Sequence, residues 1–351
     1  MTAAVPRERS LALLSTALTA YRNVVVNSPE VPIIGTPRPV RRDGYDHDVL
    51  VDCIEHIAED VVSVAFTAPD YAALPAWTPG AHLDVFLPSG RQRQYSLCGD
   101  PADKTRYRIA VRRIAGGSAS SEIHDVLRPG DTLRIRGPRN AFPMIDAPAY
   151  LFVAGGIGIT PILPMLRAAA RRGVPATLVY TGRTRVTMPF LPEIGAIGAP
   201  SHIMPDDEYG TPDLAGQLQA TPRGAAVYVC GPPPMLDAAR SLLPVFSTSA
   251  SLHTERFSAP PVRGGTPFHL TLARTGASVD VAADETALAA VRRVLPGVAY
   301  SCQQGFCGSC KTRVLCGDVE HRDRLLTESE RRESMLLCIS RSAAGPLVLD
   351  L

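Results

Sequence analysis

The sequence contains no run of about 18 or more consecutive apolar residues, so no membrane-spanning helix is expected. It has almost no excess charge. The 36 Lys and Arg against 34 Asp and Glu leave a net +2 over 351 residues, which argues against nucleic acid as an obligate partner. A signal peptide is only loosely imitated. Arg7 and Arg9 precede a short apolar stretch from Leu11 to Leu18, but no clean small-residue cleavage site follows before Arg22. That stretch reads instead as an amphipathic helix from about Ser10 to Tyr21, capped by Ser10 and docking on the body of the protein or on a partner. Asn27 to Arg42 reads as an extended connector. Long helices should be few, because the chain carries 32 Pro and 28 Gly. Four of the eight cysteines, Cys53, Cys98, Cys230 and Cys316, lie scattered in apolar, strand-like contexts. They read as reduced core thiols of a cytoplasmic protein.

The other four cysteines are not scattered. Cys302, Cys307 and Cys310 stand as C-x4-C-x2-C, and Cys338 follows after 27 intervening residues. A plant-type 2Fe–2S cluster uses this spacing: one short loop brings three thiolates and a distant segment supplies the fourth. Gly305, Gly308 and Ser309 let the loop wrap and aim N–H groups at sulfur. Zinc also takes four cysteines, but structural zinc favours two paired knuckles, and Cys338 stands alone. Cys316 lies outside the spacing, one residue past a strand and before a Gly317-Asp318 turn.

Upstream, short β-branched runs recur from Val49 to Arg136, separated by turn signals such as Pro79-Gly80, Ser89-Gly90 and Pro129-Gly130. Six or so short strands at that spacing predict a small antiparallel barrel. Within it, Arg93-Gln94-Tyr95-Ser96 offers an aromatic face for a flavin ring, a hydroxyl for its N5 edge and an arginine for its phosphate. Gly117-Ser118-Ala119-Ser120 leads into a helix N-terminus, where backbone N–H groups suit an anion. Taken singly, each also reads as an ordinary strand or loop.

Next comes a buried-type strand, Tyr150 to Ala154, followed at once by Gly155-Gly156-Ile157-Gly158-Ile159-Thr160-Pro161. Thr160 is expected as the N-cap and Pro161 as the first helical residue. Strand, glycine turn and helix N-terminus together receive a pyrophosphate, although the third glycine of the dinucleotide fingerprint is missing. Further strands at Ala176–Tyr180 and Ala225–Cys230 alternate with helical segments, predicting a doubly wound parallel sheet. Arg183 and Arg185 follow the second strand with no acidic residue beside them in sequence. Read physically, that favours a ribose 2′-phosphate and NADPH.

The runs from Arg93 to Pro101 and from Gly137 to Pro143, the glycine turn, and Cys230-Gly231-Pro232 with Met235 together resemble the phthalate dioxygenase reductase family, in the ferredoxin–NADP reductase superfamily. The resemblance covers about Asp48 to Leu351. It implies a barrel binding FMN, with FAD as the alternative. Tyr95, Ser96 and strand Ala110-Val111-Arg112 would lie along the flavin, and Arg93, Gln94, Gly117, Ser118, Ala119 and Ser120 around its ring and phosphate. It implies nicotinamide binding by Gly156, Gly158, Thr160, Pro161, Arg183, Cys230, Gly231, Pro232 and Met235, with NADH rather than NADPH. Phe257 would shield the flavin, and Ser96, Cys230 and Glu255 would be catalytic, Glu255 as a proton relay, with an ordinary surface carboxylate as its alternative reading. A β-grasp ferredoxin domain would close the chain.

The expected organisation is an extension over 1–47, a flavin barrel over 48–145, a nucleotide domain over 146–258, a linker over 259–266 and a ferredoxin domain over 267–351. The expected activity is NADH-dependent electron transfer through flavin and cluster to a partner oxygenase, of Rieske type or a demethylase. The chain itself carries neither a Rieske histidine pair nor a haem-thiolate motif, so the acceptor is another protein. A haem monooxygenase is the alternative acceptor. A redox sensor without turnover is the alternative of another class. The protein is expected to be a monomer.

Overall fold

β-Branched runs, buried apolar runs and alternating runs each build the sheet their pattern suits. The computed structural model describes residues 46–351 apart from 211–212, 247–249 and 324. The expected N-terminal helix and connector lie outside the described residues.

The first sheet is antiparallel, in the order β4-β3-β6-β1-β2-β5. Its strands are β1 (Asp46–Ala58), β2 (Val61–Thr67), β3 (Ala81–Phe86), β4 (Gln92–Ser96), β5 (Arg106–Arg112) and β6 (Thr132–Asn140). The two edges meet just beyond β4, where the Cys98 N–H donates to the Arg108 carbonyl at 2.8 Å, closing a barrel. Val49, Val64, Phe66, Leu83, Ile109 and Ile135 fill its interior. Helix α1 (Ser118–Asp125) buries Ala119 and Ile123 against that core.

The second sheet is wholly parallel, in the order β11-β10-β7-β8-β9. It contains β7 (Tyr150–Gly155), β8 (Ala176–Gly182), β9 (Ser201–Pro205), β10 (Ala226–Cys230) and β11 (Ser251–Glu255). Period-2 alternation divides its side chains. Tyr150, Phe152, Tyr180 and Tyr228 face one core with helix α2 (Ile159–Arg171) and helix α3 (Leu191–Ile197). Leu151, Val153, Val179 and Val227 face the other, with helix α4 (Leu214–Gln219) and helix α5 (Pro233–Phe246). Burial on both faces explains the continuous apolar strands. Strand order reverses between β7 and β10, and the crevice at such a reversal is where open α/β sheets bind ligands.

The third sheet, in the order β13-β12-β16-β14-β15, pairs the first and last strands of its segment in parallel. Its strands are β12 (Phe268–Leu272), β13 (Ser278–Val281), β14 (Lys311–Glu320), β15 (Ser334–Leu336) and β16 (Arg341–Leu349). Helix α6 (Ala287–Val294) packs on it, with Thr286 accepting the Ala289 N–H at 3.1 Å as an N-cap. This is the β-grasp arrangement.

Two local expectations are corrected. Gly317-Asp318 is not a turn: β14 continues through it as a bulge, with shifted register against β16. Cys316 is therefore exposed on that strand rather than a core thiol, and Cys53 is only half-buried, whereas Cys98 and Cys230 are buried.

The barrel and the parallel sheet are tied by an ion cluster that no motif announced. Glu193 of α3 takes both guanidinium nitrogens of Arg108 from β5, at 2.9 and 2.8 Å. It also pairs with Arg167 of α2. Arg167 in turn donates to the Cys98 and Gly99 carbonyls at 3.2 and 3.1 Å, and Arg171 pairs with Asp100 at 2.7 Å. Residues 98–100, quoted above for their resemblance, form the joint between the two sheets. Among the described residues, no helix is long and apolar enough to cross a membrane.

Candidate functional site

The crevice between β7 and β10 is shaped by glycine. A Cβ on Gly158 would sit 2.2 Å from the Cys230 carbonyl oxygen, and one on Gly155 would sit 2.6 Å from Pro232 Cδ. Only bare backbone lets the two strand-end turns interlock. The helix entry is tighter than the sequence suggested. A 3-10 turn over Gly156–Gly158 comes first, Gly158 is the N-cap and α2 starts at Ile159. Thr160 is thus inside the first turn, buried, with its hydroxyl donating to the Ile157 carbonyl at 3.0 Å, and Pro161 follows it. No side chain caps α2 and its first turn has no acidic residue, so its N–H groups remain suited to a phosphate.

Cys230, Gly231, Pro232 and Met235 line the β10 side, and a Cβ on Gly231 would lie 2.8 Å from the Met235 sulfur. Burial pushes the Cys230 thiol well above its ordinary pKa, so it stays neutral. Beside it in register stands Glu255, ending β11. Burial raises the Glu255 carboxyl to about 8, and its Oε2 has no hydrogen-bond partner among the described residues. At neutral pH this carboxyl mainly holds its proton. Phe257 is 48% exposed two residues later.

The sign of the Glu255 linkage is definite. A free glutamate titrates at about 4.3, so the folded chain binds this proton more tightly than the unfolded chain. Its contribution to stability is full below that value and is lost as pH rises through about 8. Glu255→Gln should therefore flatten the fall in unfolding free energy between pH 5 and 8, by up to about 1.4 kcal/mol per pH unit, with a matching flattening of Tm. Thermal denaturation of wild type and variant across that range checks it.

On the barrel, Ser96 is buried at the end of β4 and Tyr95 packs against the barrel core, where burial pushes its phenol upward. Gln94 stands opposite Asp84 across the β3–β4 pair, and its side chain interacts with that buried carboxylate. Helix α1 is capped by Gly117 with no side-chain bond. Ser120 does not face outward: its hydroxyl bonds the Gly117 carbonyl and the Ile114 N–H, at 3.0 and 3.1 Å. Ala110 and Val111 are buried on β5, while Arg112 reaches the second sheet, near where a Cβ on Gly156 would be. Arg93 donates to the Tyr300 hydroxyl and lies 4.2 Å over its ring. The open helix end fits a flavin with its phosphate on α1.

The four cysteines come together as the spacing predicted. Cys302, Cys310 and Cys338 are buried and Cys307 is half-buried. Gly305 (φ +80°) and Gly308 (φ +79°) take left-handed conformations, and a Cβ on either would meet Ile339 or Leu325 at 2.8 or 3.0 Å. The Cys302 N–H points at Cys307 Sγ from 3.5 Å and the Gln304 N–H at Cys302 Sγ from 3.3 Å. Bonds from the Cys307 and Cys338 thiols, helped by the Gln304 and Phe306 N–H groups, pull Cys302 far below its ordinary pKa. Cys302 neighbours both Cys307 and Cys338, and Cys338 also neighbours Cys310. Four sulfurs brought into mutual contact by one short loop and a distant segment fit the plant-type 2Fe–2S spacing.

Arg183 is exposed beyond β8. The acidic residues missing from its sequence neighbourhood arrive in space. The Asp207 N–H donates to the Arg183 carbonyl at 3.2 Å, and Glu208 holds Arg185 at 3.1 and 2.8 Å.

Comparison with known proteins agrees with this geometry. Residues 48–143 match the oxidoreductase FAD-binding domain, and residues 270–343 match the 2Fe-2S iron-sulfur cluster binding domain. The chain is 40% identical to phenoxybenzoate dioxygenase subunit beta of Ectopseudomonas oleovorans, over 86% of this chain and 96% of that protein. An intact type IV self-sufficient cytochrome P450 monooxygenase is 35% identical with a TM-score of 0.66; the match covers 93% of this chain but 45% of that longer one. The structure described as phthalate dioxygenase reductase, a modular structure for electron transfer from pyridine nucleotides to [2Fe-2S], is 34% identical with a TM-score of 0.65, over 87% of this chain and 98% of that one. With a flavin-binding barrel, a parallel nucleotide-type sheet and a 2Fe–2S domain in that order, along nearly the whole of that reductase, the chain belongs to the phthalate dioxygenase reductase family.

Proposed function

We propose that the protein is an oxidoreductase that draws electrons from NADH through FMN and a 2Fe–2S cluster and delivers them singly to a partner oxygenase. The observation that carries this reading is the co-occurrence, in one compact unit, of the β7/β10 crevice, the β4–α1 flavin face and the four-cysteine loop. A bound flavin supplies the conversion of a two-electron hydride into single electrons, which neither nicotinamide nor cluster can perform alone.

The chain's residues have these proposed tasks. The N-terminus of α2 and the Gly155–Gly158 turn seat the pyrophosphate. Neutral Cys230 and Met235 form an uncharged wall for the nicotinamide. Ser96 faces the flavin N5 edge. Protonated Glu255, at the mouth of the crevice, holds a proton near the reacting edge. The Glu193 ion cluster keeps barrel and parallel sheet in one relative orientation, so nicotinamide and flavin approach correctly.

NADH is favoured over NADPH by the pairing of Arg185. Its guanidinium is committed to Glu208, and Asp206 and Asp207 add negative charge at the same strand end. A ribose 2′-phosphate would meet repulsion there, whereas a 2′-hydroxyl would find acceptors. Glu208→Gln frees Arg185, and kcat/KM for NADPH should rise about tenfold relative to NADH. Steady-state kinetics with both nucleotides check it; an unchanged ratio would place specificity elsewhere.

A haem monooxygenase as acceptor is the second reading. The P450 monooxygenase match extends over 93% of this chain, against 87% for the phthalate reductase structure. The function is tested with protein loaded with flavin and cluster: NADH should drive rapid cytochrome c reduction, and extracted flavin should be FMN. Absence of that reduction would favour a redox sensor without turnover.

A further inference from the structure

Strands β3 and β4 of the barrel form a seat for the cysteine loop, and one contact in it has a chemical consequence. The Gln92 Nε2 donates to Ser309 Oγ at 2.9 Å, joining residues 217 positions apart. Ser309 Oγ lies 3.4 Å from Cys307 Sγ. An amide nitrogen only donates, so the Gln92 bond fills a lone pair of the hydroxyl and leaves the hydroxyl's own proton free to point elsewhere. The acceptor in reach is the Cys307 sulfur. As a metal ligand that sulfur is a thiolate, which only accepts.

The neighbouring contacts hold this geometry. Ser301, beside Cys302, donates to Asp84 at 3.3 Å, and Asp84 is fully buried and paired with Arg139. Phe306 packs edge-on against the buried His82 ring at 6.0 Å. Gln304 donates to the Arg256 carbonyl at 2.5 Å. The loop is thus held at three points ahead of Ser309, and Gln92 meets it at Ser309 itself. Hydrogen bonds to cluster sulfurs raise the reduction potential, because they stabilise the more negative reduced form.

We infer that Gln92 is a positioning residue through which the flavin barrel sets the potential of the cluster, by orienting the Ser309 hydroxyl onto Cys307. This rests on the loop holding a 2Fe–2S cluster. It makes the electron acceptor's potential a property of the docked pair of domains rather than of the ferredoxin fold alone.

The test is an EPR-monitored redox titration of the full-length, flavin- and cluster-loaded protein, as wild type, Gln92→Met, Ser309→Ala and the double variant. Methionine keeps the length of glutamine, adds no charge and cannot donate. Gln92→Met and Ser309→Ala should each lower the cluster midpoint, and the double variant should match Ser309→Ala. The rate of flavin reduction by NADH should not change in Gln92→Met. An unchanged midpoint in Gln92→Met overturns the inference, as does a further full shift when it is added to Ser309→Ala. If Gln92→Met fails to load a cluster, Gln92→Asn, which retracts the same amide by one methylene, is read by the same criteria. A wild-type protein without a 2Fe–2S EPR signal would overturn the cluster reading itself, a separate outcome.

Discussion

Cys307→Ala should leave NADH able to bleach the flavin at close to the wild-type rate while cytochrome c reduction falls to the level of the flavin alone. Cys307 is the right cysteine to remove because it is the least buried of the four. Cys310 and Cys338 pack within the hydrophobic core of the third sheet, so truncating either would also leave a cavity there. Cys307 sits outside that core, and its loss removes a ligand without removing packing. The nucleotide crevice and the flavin face lie on other sheets, so their chemistry should survive. Stopped-flow absorbance of flavin bleaching, set beside steady-state cytochrome c reduction, separates the two. Loss of both together would mean that the cluster precedes the flavin or that the variant is misfolded, and a Tm comparison distinguishes those outcomes.

What could be read from the sequence follows from how local the chemistry is. The cysteine loop and the glycine turn were readable because their chemistry needs particular residues next to one another on the chain. A loop carrying three thiolates cannot spread them along the sequence, and a turn that admits bare backbone must show glycine at the point of contact. The parallel sheet was readable from β-strands buried on both faces, such as Tyr150 to Ala154. Contacts between distant segments left no local trace. Glu193 sits in a helix of ordinary composition, yet it binds Arg108 and Arg167 across two sheets. Gln92 and Arg93 adjoin a recognisable motif, but their partners Ser309 and Tyr300 come from the third sheet. Asp206 to Glu208 reach Arg183 and Arg185 only because β8 and β9 are neighbours. One signal was available: Asp84 is a charge inside the apolar run of β3, and a carboxylate there demands a partner, which proves to be Arg139 with Ser301.

Boundary errors have an equally physical origin. Thr160 looked like an N-cap because threonine before proline commonly is one. The 3-10 turn over Gly156–Gly158 moved the helix start forward and left Thr160 to satisfy the Ile157 carbonyl instead. Gly317-Asp318 carries turn residues, but β16 runs alongside and keeps the strand paired through a bulge. In both places glycine serves close approach or a bulge rather than chain reversal.

Gly158→Ala should abolish productive NADH binding while Gly195→Ala changes little. The added methyl at Gly158 would lie 2.2 Å from the Cys230 carbonyl oxygen and 2.6 Å from its carbon. These are backbone atoms of a central strand, so no side-chain rotation can relieve the overlap. The β7 and β10 turns must separate, at a cost of about 1–3 kcal/mol by analogy with overpacked cores. That separation opens the crevice in which both the pyrophosphate and the nicotinamide are proposed to sit. Gly195 lies in α3, and nothing stands within 4 Å of where its Cβ would be. Alanine there removes backbone freedom from a helix interior, so it should be neutral or stabilising by up to about 1 kcal/mol. With Gly158→Ala the NADH concentration for half-maximal flavin reduction should move out of reach. Chemical reduction of the same flavin by dithionite should remain normal, because the barrel is untouched. Near-normal NADH affinity in Gly158→Ala would mean that the nucleotide does not use the β7/β10 crevice, whatever the stability of the variant.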